Sequence, residues 1–345
     1  MRALIKERPG PGARYGESAD PSPGRGEVLL KLHRASICGS DLPIYHWTSW
    51  APGRIKVPMV FGHEFCGELA ALGPGVRGLK VGDFVSVESH IYCRKCLQCR
   101  RGEAHVCQTL KIIGVDGPGG FAERVVVPAR CVWRHKGRAL RDVGSLFEPF
   151  GNAVYSVLVE DVRDKAVLVM GAGPQGLFAA AVARASGART VVAVEGSRFR
   201  AELARRMGAR AVVDPGHPDV LGQVLKAGRV PGGFDVVCEM SGSPKAIELG
   251  LKAVANGGRL TAFGIPPGKV ELDWAQDVIF KGVRIYGIVG RRIFETWELA
   301  QKLLDSGRVD LRPAVTHTFA LRDYEEGFRV MSEPEKRCGK VLLVP

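Results

Sequence analysis

The sequence predicts an α/β protein in two parts, a β-rich, barrel-like first part and a doubly wound parallel sheet after it. Three observations carry this. Over about the first 145 residues, short β-branched runs are separated by Gly and Pro. From Lys165 the rhythm changes, and apolar strands alternate with helical segments. At 345 residues, 46% hydrophobic and 25% charged, the chain also has room for two separate cores.

In the first part the strand runs are Glu27–Leu32, Asp83–Val87 and Glu123–Val127. In the second part Ala166–Met170 precedes a helix over Pro174–Ser186, Thr190–Val194 precedes Ser197–Met207, and Arg210–Val213 precedes Pro218–Ala227. Phe234–Cys238 precedes Pro244–Ala255, and Arg259–Phe263 and Val283–Ile288 complete six strands. The tail opens with a helix over Phe294–Leu304 and ends in the run Val341–Val344, which is expected to return to the first part. The expected organisation is therefore 1–150, 151–290 and 291–345. No internal repeat or low-complexity segment interrupts it.

Charge and cysteine usage narrow the function. The net charge of +13 raises nucleic acid as a partner, but the arginines are scattered, as at Arg198, Arg200, Arg205 and Arg206 on the polar face of an expected helix. No aromatic-basic recognition motif accompanies them, so a solvated surface and attraction for anionic cofactors are the reading, with no nucleic-acid partner. No apolar run approaches the roughly 18 residues that span a bilayer, and Met1–Lys6 lacks the apolar core of a secretory signal. A soluble, cytoplasmic protein without a membrane partner is expected. Nine cysteines, four of them clustered, fit metal ligation in a reducing compartment better than a disulfide framework.

Those four, Cys93, Cys96, Cys99 and Cys107, are spaced C-x2-C-x2-C-x7-C and can close a tetrahedral thiolate cage around one Zn²⁺. Cys38 with His63-Glu64 supplies too few soft ligands to close a site, which points to an open, catalytic metal. Glu148, just before the alternating region, is a further carboxylate ligand or an exchangeable one. Cys66, Cys131, Cys238 and Cys338 read as buried or incidental thiols.

The dinucleotide signal sits where its physics requires. Gly171-Ala172-Gly173-Pro174-Gln175-Gly176 follows the first strand of the second part and opens a helix, so backbone amides and the helix dipole can face a pyrophosphate. Glu195, nineteen residues beyond Gly176 at the end of the next strand, can bind both ribose hydroxyls and would repel a 2′-phosphate, which favours NAD over NADP. Arg198 and Arg200 lie close enough to soften that preference, and Arg200 is itself a cofactor-binding candidate. Gly264-Ile265, after the strand Arg259–Phe263, and Ile288-Val289, at the end of the strand Val283–Ile288, are candidates for further cofactor contact.

Through Gly62-His63-Glu64, the Cys93–Cys107 lobe and the Gly171–Gly176 turn, the chain resembles the zinc-dependent medium-chain dehydrogenases over nearly its whole length. Tyr45–Trp50, Glu88–Ile91, Glu148–Val154 and Gly290–Trp297 are similar to the branch of that family whose substrate is threonine. The resemblance implies a GroES-like catalytic domain built from the N-terminal part and the tail, a Rossmann domain between, and an active site in the cleft. It implies one catalytic and one structural Zn²⁺ per chain, NAD, a small-molecule substrate and a homo-oligomer, a tetramer. The implied reaction is hydride transfer from a secondary alcohol, L-threonine going to 2-amino-3-oxobutanoate. In it the catalytic zinc is held by Cys38, His63 and either Glu64 or Glu148, Ser40 passes the hydroxyl proton toward the cofactor ribose, and His90 belongs to the substrate pocket. Trp47, Trp50 and Arg291 are weaker pocket candidates.

Two positions depart from that pattern. Pro43 stands where the relay's next histidine is usual, so His46 or water must end the relay. Tyr155 also replaces a usual histidine, which keeps a polyol, a sugar-alcohol phosphate or an amino alcohol open as the substrate.

Overall fold

Between Ala166 and Gly287, six strands lie in one sheet in the order Ala211–Val213, Thr190–Val194, Ala166–Met170, Phe234–Glu239, Val254–Ala262, Arg284–Gly287. Every pairing is parallel. That order reverses direction at Ala166–Met170, which puts a ligand crevice at the carboxyl ends of the central strands. The computed structural model describes residues 1–137 and 140–345. It divides into two units, the first made of Met1–Pro149, Val315–Pro334 and Lys340–Pro345, the second of Phe150–Ala314 and Glu335–Gly339.

In the second unit the central strands are apolar on both faces, Ala166–Met170 and Thr190–Val194 being buried throughout, because helices cover the sheet on both sides. Leu168, Met170, Val192, Phe234, Val237 and Leu260 form the middle of one core cluster. The helices run over Pro174–Ala185, Arg198–Arg206, Val220–Gly228 and Pro244–Ala253. The last stops two residues short of the expected end. Val254 is already extended, and the strand it begins runs through Asn256-Gly257-Gly258 to Ala262.

The first unit is built on a seven-stranded sheet. Its path is Val132–Arg134, Phe84–Val87, Glu64–Leu72, Glu27–Ile37, Lys340–Val344, Val315–Ala320, with Arg124–Pro128 also paired to Glu27–Ile37. A smaller sheet joins Arg14–Glu17, Arg2–Lys6 and Met59–Val60. The return of the tail begins at Val315 rather than near 291. Residues 291–314 stay with the second unit: the amphipathic helix Glu295–Asp305 buries Trp297, Ala300 and Leu303, and beyond it Arg308 donates to the Ala185 carbonyl at 3.1 Å.

The long strand Glu27–Ile37 positions the chemistry. Its register sets Ser36 opposite Glu64 on one side and opposite Leu342 on the other, so Cys38, His63-Glu64 and the final strand meet at one end of the sheet.

Candidate metal and dinucleotide sites

The four lobe cysteines converge although they lie on loops, a short helix Leu97–Arg100 and a turn Ala104–Val106. Cys93 and Cys99 Sγ are 3.9 Å apart, and Cys96 and Cys107 Sγ 3.8 Å. A tetrahedron of Zn–S bonds of about 2.3 Å has edges of about 3.8 Å, so these sulfurs fit one zinc. Amides are aimed at them too: Lys95 N and Cys96 N donate to Cys93 Sγ at 3.4 and 3.3 Å. Those amides bring the Cys93 thiol down to about 6, whereas burial and the neighbouring sulfurs push Cys99 up to about 12. All nine cysteines are free thiols.

The second set is more buried. Ligand atoms of Cys38, His63 and Glu64 all lie within 4.8 Å of one another. Asp41, fully buried, shapes this corner: its Oδ2 accepts from Cys38 N at 2.8 Å and its Oδ1 lies 3.3 Å from His63 Nδ1. That contact orients the ring and leaves Nε2 for a ligand, the arrangement by which an outer carboxylate steers a metal-binding histidine. Nε2 is 3.5 Å from Ser40 Oγ. Burial alone would lower the His63 imidazole, but the Asp41 carboxylate and Cys38 beside it hold it well above its usual range. One oxygen of Glu64, Oε1, is buried without a hydrogen-bond partner. A soft thiol, an oriented imidazole and an orphaned carboxylate oxygen form a donor set that suits Zn²⁺.

The other oxygen of Glu64 is occupied. Ser36 Oγ donates to Oε2, and Lys340 Nζ pairs with it, both partners being almost completely buried. Lys340 also donates to the Ile37 carbonyl at 3.3 Å. Burial would lower its ammonium, but Glu64, Cys38 and Glu148 raise it above its usual range.

Glu148 and His90 are buried and lie outside the Cys38–His63–Glu64 ligand set. Glu148 Oε1 accepts from Ser89 Oγ at 2.7 Å, and His90 N donates to Glu88 Oε1 at 2.9 Å. His46 Nε2 is 2.9 Å from Ser332 Oγ on the helix Tyr324–Ser332. Trp47 lies under the Lys6 ammonium at 5.2 Å, and Trp50 is 46% exposed. In the second unit Arg291 is buried, donates to Asn152 Oδ1 at 2.9 Å and stacks near Trp297.

The dinucleotide candidates Gly171–Gly176 lie at the carboxyl end of the strand Ala166–Met170 and in the turn and helix after it. Gly171 takes φ +88°, and a Cβ on Gly176 would sit 1.8 Å from the Gly171 carbonyl, so the turn can close onto its helix only with glycine there. Gly173 caps the helix that Pro174 and Gln175 open. Glu195 accepts from Ala172 N and Ser197 N, both at 2.8 Å, which fixes the carboxylate at the rim of a cavity of about 680 Å³. Gly171, Ser241, Ser243 and Leu221 also line that cavity. Arg200 donates to the Cys338 carbonyl at 2.8 Å, and its Nη1 would lie 3.7 Å from a Cβ on Gly173. Gly264-Ile265 and Ile288-Val289 follow the last two strands at the same, carboxyl, edge of the sheet, with Ile265 91% exposed and Ile288 buried.

Sequence reading missed Asp41, Ser36 and Lys340. Asp41 was visible three residues after Cys38. Lys340, 276 positions from Glu64, carried only the weak signal of a lysine heading an apolar strand.

Two family models match this chain: residues 24–137 fit the alcohol dehydrogenase GroES-like domain, and residues 174–306 the zinc-binding dehydrogenase domain. Among curated relatives, L-threonine 3-dehydrogenase of Pyrococcus horikoshii is 48% identical over 345 residues, covering 100% of this chain and 98% of the relative. Among solved structures, a short chain alcohol dehydrogenase from E. coli CFT073 complexed with NADH is 26% identical, with TM-score 0.91 over 100% of this chain and 99% of that one. Galactitol-1-phosphate dehydrogenase of Escherichia coli is 27% identical, with TM-score 0.90 over 100% of both chains.

Proposed function

The chain belongs to the zinc-binding dehydrogenase family, and from that premise we propose that it oxidises the 3-hydroxyl of L-threonine with NAD as hydride acceptor. One observation carries the reading. In a chain 48% identical to an L-threonine 3-dehydrogenase over its full length, Cys38, His63 and Glu64 bring three ligand atoms within 4.8 Å in a buried corner.

In this reading Cys38, His63 and Glu64 hold the catalytic Zn²⁺, and Cys93, Cys96, Cys99 and Cys107 the structural one. Zinc in the open site supplies Lewis acidity, which lowers the pKa of an alcohol brought to it. Asp41 holds the His63 ring in place. Ser40, adjacent to His63 Nε2, takes the hydroxyl proton. With Pro43 unable to accept it and His46 held by Ser332, water ends the relay. Glu148, fixed by Ser89, and His90, fixed by Glu88, belong to the substrate side. Glu195, anchored by two amides, presents its carboxylate to the ribose diol and favours NAD over NADP by at least about tenfold.

The reading includes a homo-oligomer, a tetramer, in the cytoplasm. Arg284–Gly287 ends the six-stranded sheet with one side unpaired among the described residues, and Trp274, Ile279, Phe280 and Ile285 are exposed close by in sequence. Free thiols at every cysteine suit a reducing compartment. No helix among the described residues is long and apolar enough to cross a membrane.

The test is a substrate screen with the zinc-loaded enzyme: L-threonine, other 2-amino-3-hydroxy acids, polyols and a sugar-alcohol phosphate, each with NAD and with NADP. The expected result is a kcat/KM for L-threonine with NAD at least about tenfold above the others. A polyol or a sugar-alcohol phosphate ranking first would replace threonine, and equal use of NADP would remove the role given to Glu195.

A further inference from the structure

Glu239 ends the strand Phe234–Glu239, pairing with Met170 on one side and Ala262 on the other, and its side chain is fully buried. A buried carboxylate normally requires a cation. None lies within ion-pair distance of Glu239 among the described residues. Instead Oε1 accepts three hydrogen bonds, from Ser241 N at 2.9 Å, Ser241 Oγ at 2.6 Å and Gly242 N at 3.0 Å, and Gly242 N also lies 3.2 Å from Oε2. Three donors converging on one oxygen need the acceptor capacity of a carboxylate or an amide oxygen.

What these bonds hold lies beside the phosphate turn. A Cβ on Gly171 would come within 2.8 Å of Ser241 Cβ, and both residues line the cavity of about 680 Å³ that Glu195 also faces. Ser241 Oγ in turn accepts from Ser243 N at 3.1 Å, and Ser243 is a third lining residue. Gly242 adopts φ +69° and packs against Ile265, and a Cβ on Gly264 would lie 2.0 Å from Gly242 N. The loop 241–243 therefore has little freedom on either side, and Glu239 is the group that pins it from beneath.

We propose that Glu239 is a positioning residue for the dinucleotide, clamping Ser241 and Gly242 against Gly171 so that one wall of the cofactor cavity is set before the cofactor arrives. The proposal rests on the dinucleotide reading of this cavity given above. Glu239 touches no reacting atom in this account. Its effect falls on cofactor affinity, because a loop that must be ordered on binding weakens binding by the cost of ordering it.

The experiment compares Glu239→Ala, Glu239→Gln and Ser241→Ala with the unmodified zinc-loaded enzyme. Affinity for NADH is read by fluorescence and for ADP-ribose by calorimetry, with KM for NAD, kcat and the melting temperature alongside. Glu239→Ala strands two amides and is expected to weaken both NADH and ADP-ribose about tenfold, with KM for NAD rising in step and kcat at saturating NAD falling less than about threefold. Glu239→Gln keeps an acceptor oxygen and is expected to recover most of the affinity. Ser241→Ala, losing one bond, is expected to lie between them. A Glu239→Ala enzyme that melts lower yet binds both ligands like the unmodified protein would overturn the proposal, as would Glu239→Gln binding as weakly as Glu239→Ala. If the unmodified enzyme binds neither NADH nor ADP-ribose, the dinucleotide reading itself is wrong and the proposal falls with it.

Discussion

Replacing Lys340 by methionine should destabilise the zinc-free protein far more than the zinc-loaded one. Lys340 and Glu64 are 2% and 1% exposed, so removing the ammonium leaves the carboxylate with the Ser36 hydroxyl as its hydrogen-bond donor, in a corner it shares with Cys38 and His63. Breaking a buried pair from one side costs about 3–5 kcal/mol. For a domain of this size that lowers the melting temperature by about 6–20 °C. With zinc in place, a dication takes over part of the compensation of Glu64, and the loss should fall to about 1–2 kcal/mol. The thermodynamic cycle then requires Lys340→Met to bind zinc more tightly than the unmodified protein, by about 2 kcal/mol or roughly thirtyfold. Chemical denaturation of chelator-treated and zinc-loaded protein, with competition titration of zinc, gives all three legs. Equal destabilisation with and without zinc, together with unchanged zinc affinity, would show that Glu64 does not serve the metal and that Lys340 is an ordinary structural cation.

Cys96→Ser should lose zinc from the lobe and lower stability, whereas Cys38→Ser should abolish turnover while leaving the melting temperature and NADH binding nearly unchanged; zinc content, melting and activity of both variants check this division. His46→Ala should keep kcat within about twofold across pH 6–10, because its ring is engaged with Ser332, while Ser40→Ala should be slow throughout; a shifted pH profile in His46→Ala would reinstate that histidine in the relay. Glu160 is held below the usual carboxylate range by the Tyr286 hydroxyl, against the opposing effect of burial, and by Arg259 and Arg284. A depressed carboxylate stabilises above its unfolded pKa and loses that contribution as pH falls through its folded value. Glu160→Gln should therefore cost about 1–3 kcal/mol near neutral pH, with the gap closing in acid. Urea titrations at both pH values test it, and a gap that widens in acid would refute it.

Local pattern made most of the second unit legible. Ala166–Met170 and Thr190–Val194 stand where their apolar runs begin and end, because fully buried parallel strands advertise themselves as unbroken apolar segments between turn residues. The glycine turn was legible for the same reason: one short segment carries the strand end, the turn and the helix start. The first unit was less legible because its sheet is assembled from distant pieces. Nothing near Glu27–Ile37 announces that Lys340–Val344 pairs with it, and so the cation opposite Glu64 was invisible, while the two candidate ligand sets, Cys93–Cys107 and Cys38 with His63-Glu64, could be named from short-range spacing. The extent of the tail was misjudged because the helix Glu295–Asp305 has an ordinary amphipathic pattern, which says that it buries a face and not which unit receives it.

The path of the last residues has a practical consequence. The chain leaves the first unit after residue 149, re-enters at 315, steps out at 335 and comes back at 340, so no single cut separates the two units intact. Trimming from the end acts first on the corner of Cys38, His63 and Glu64. A protease removing the strand Lys340–Val344 would take away Val341, Leu342 and Leu343 from beside Ile37, Ser36 and Ala35, and with them the ammonium that neutralises Glu64. Loss of activity on C-terminal clipping should thus precede loss of the nucleotide sheet, and a fusion partner is better placed at the other terminus.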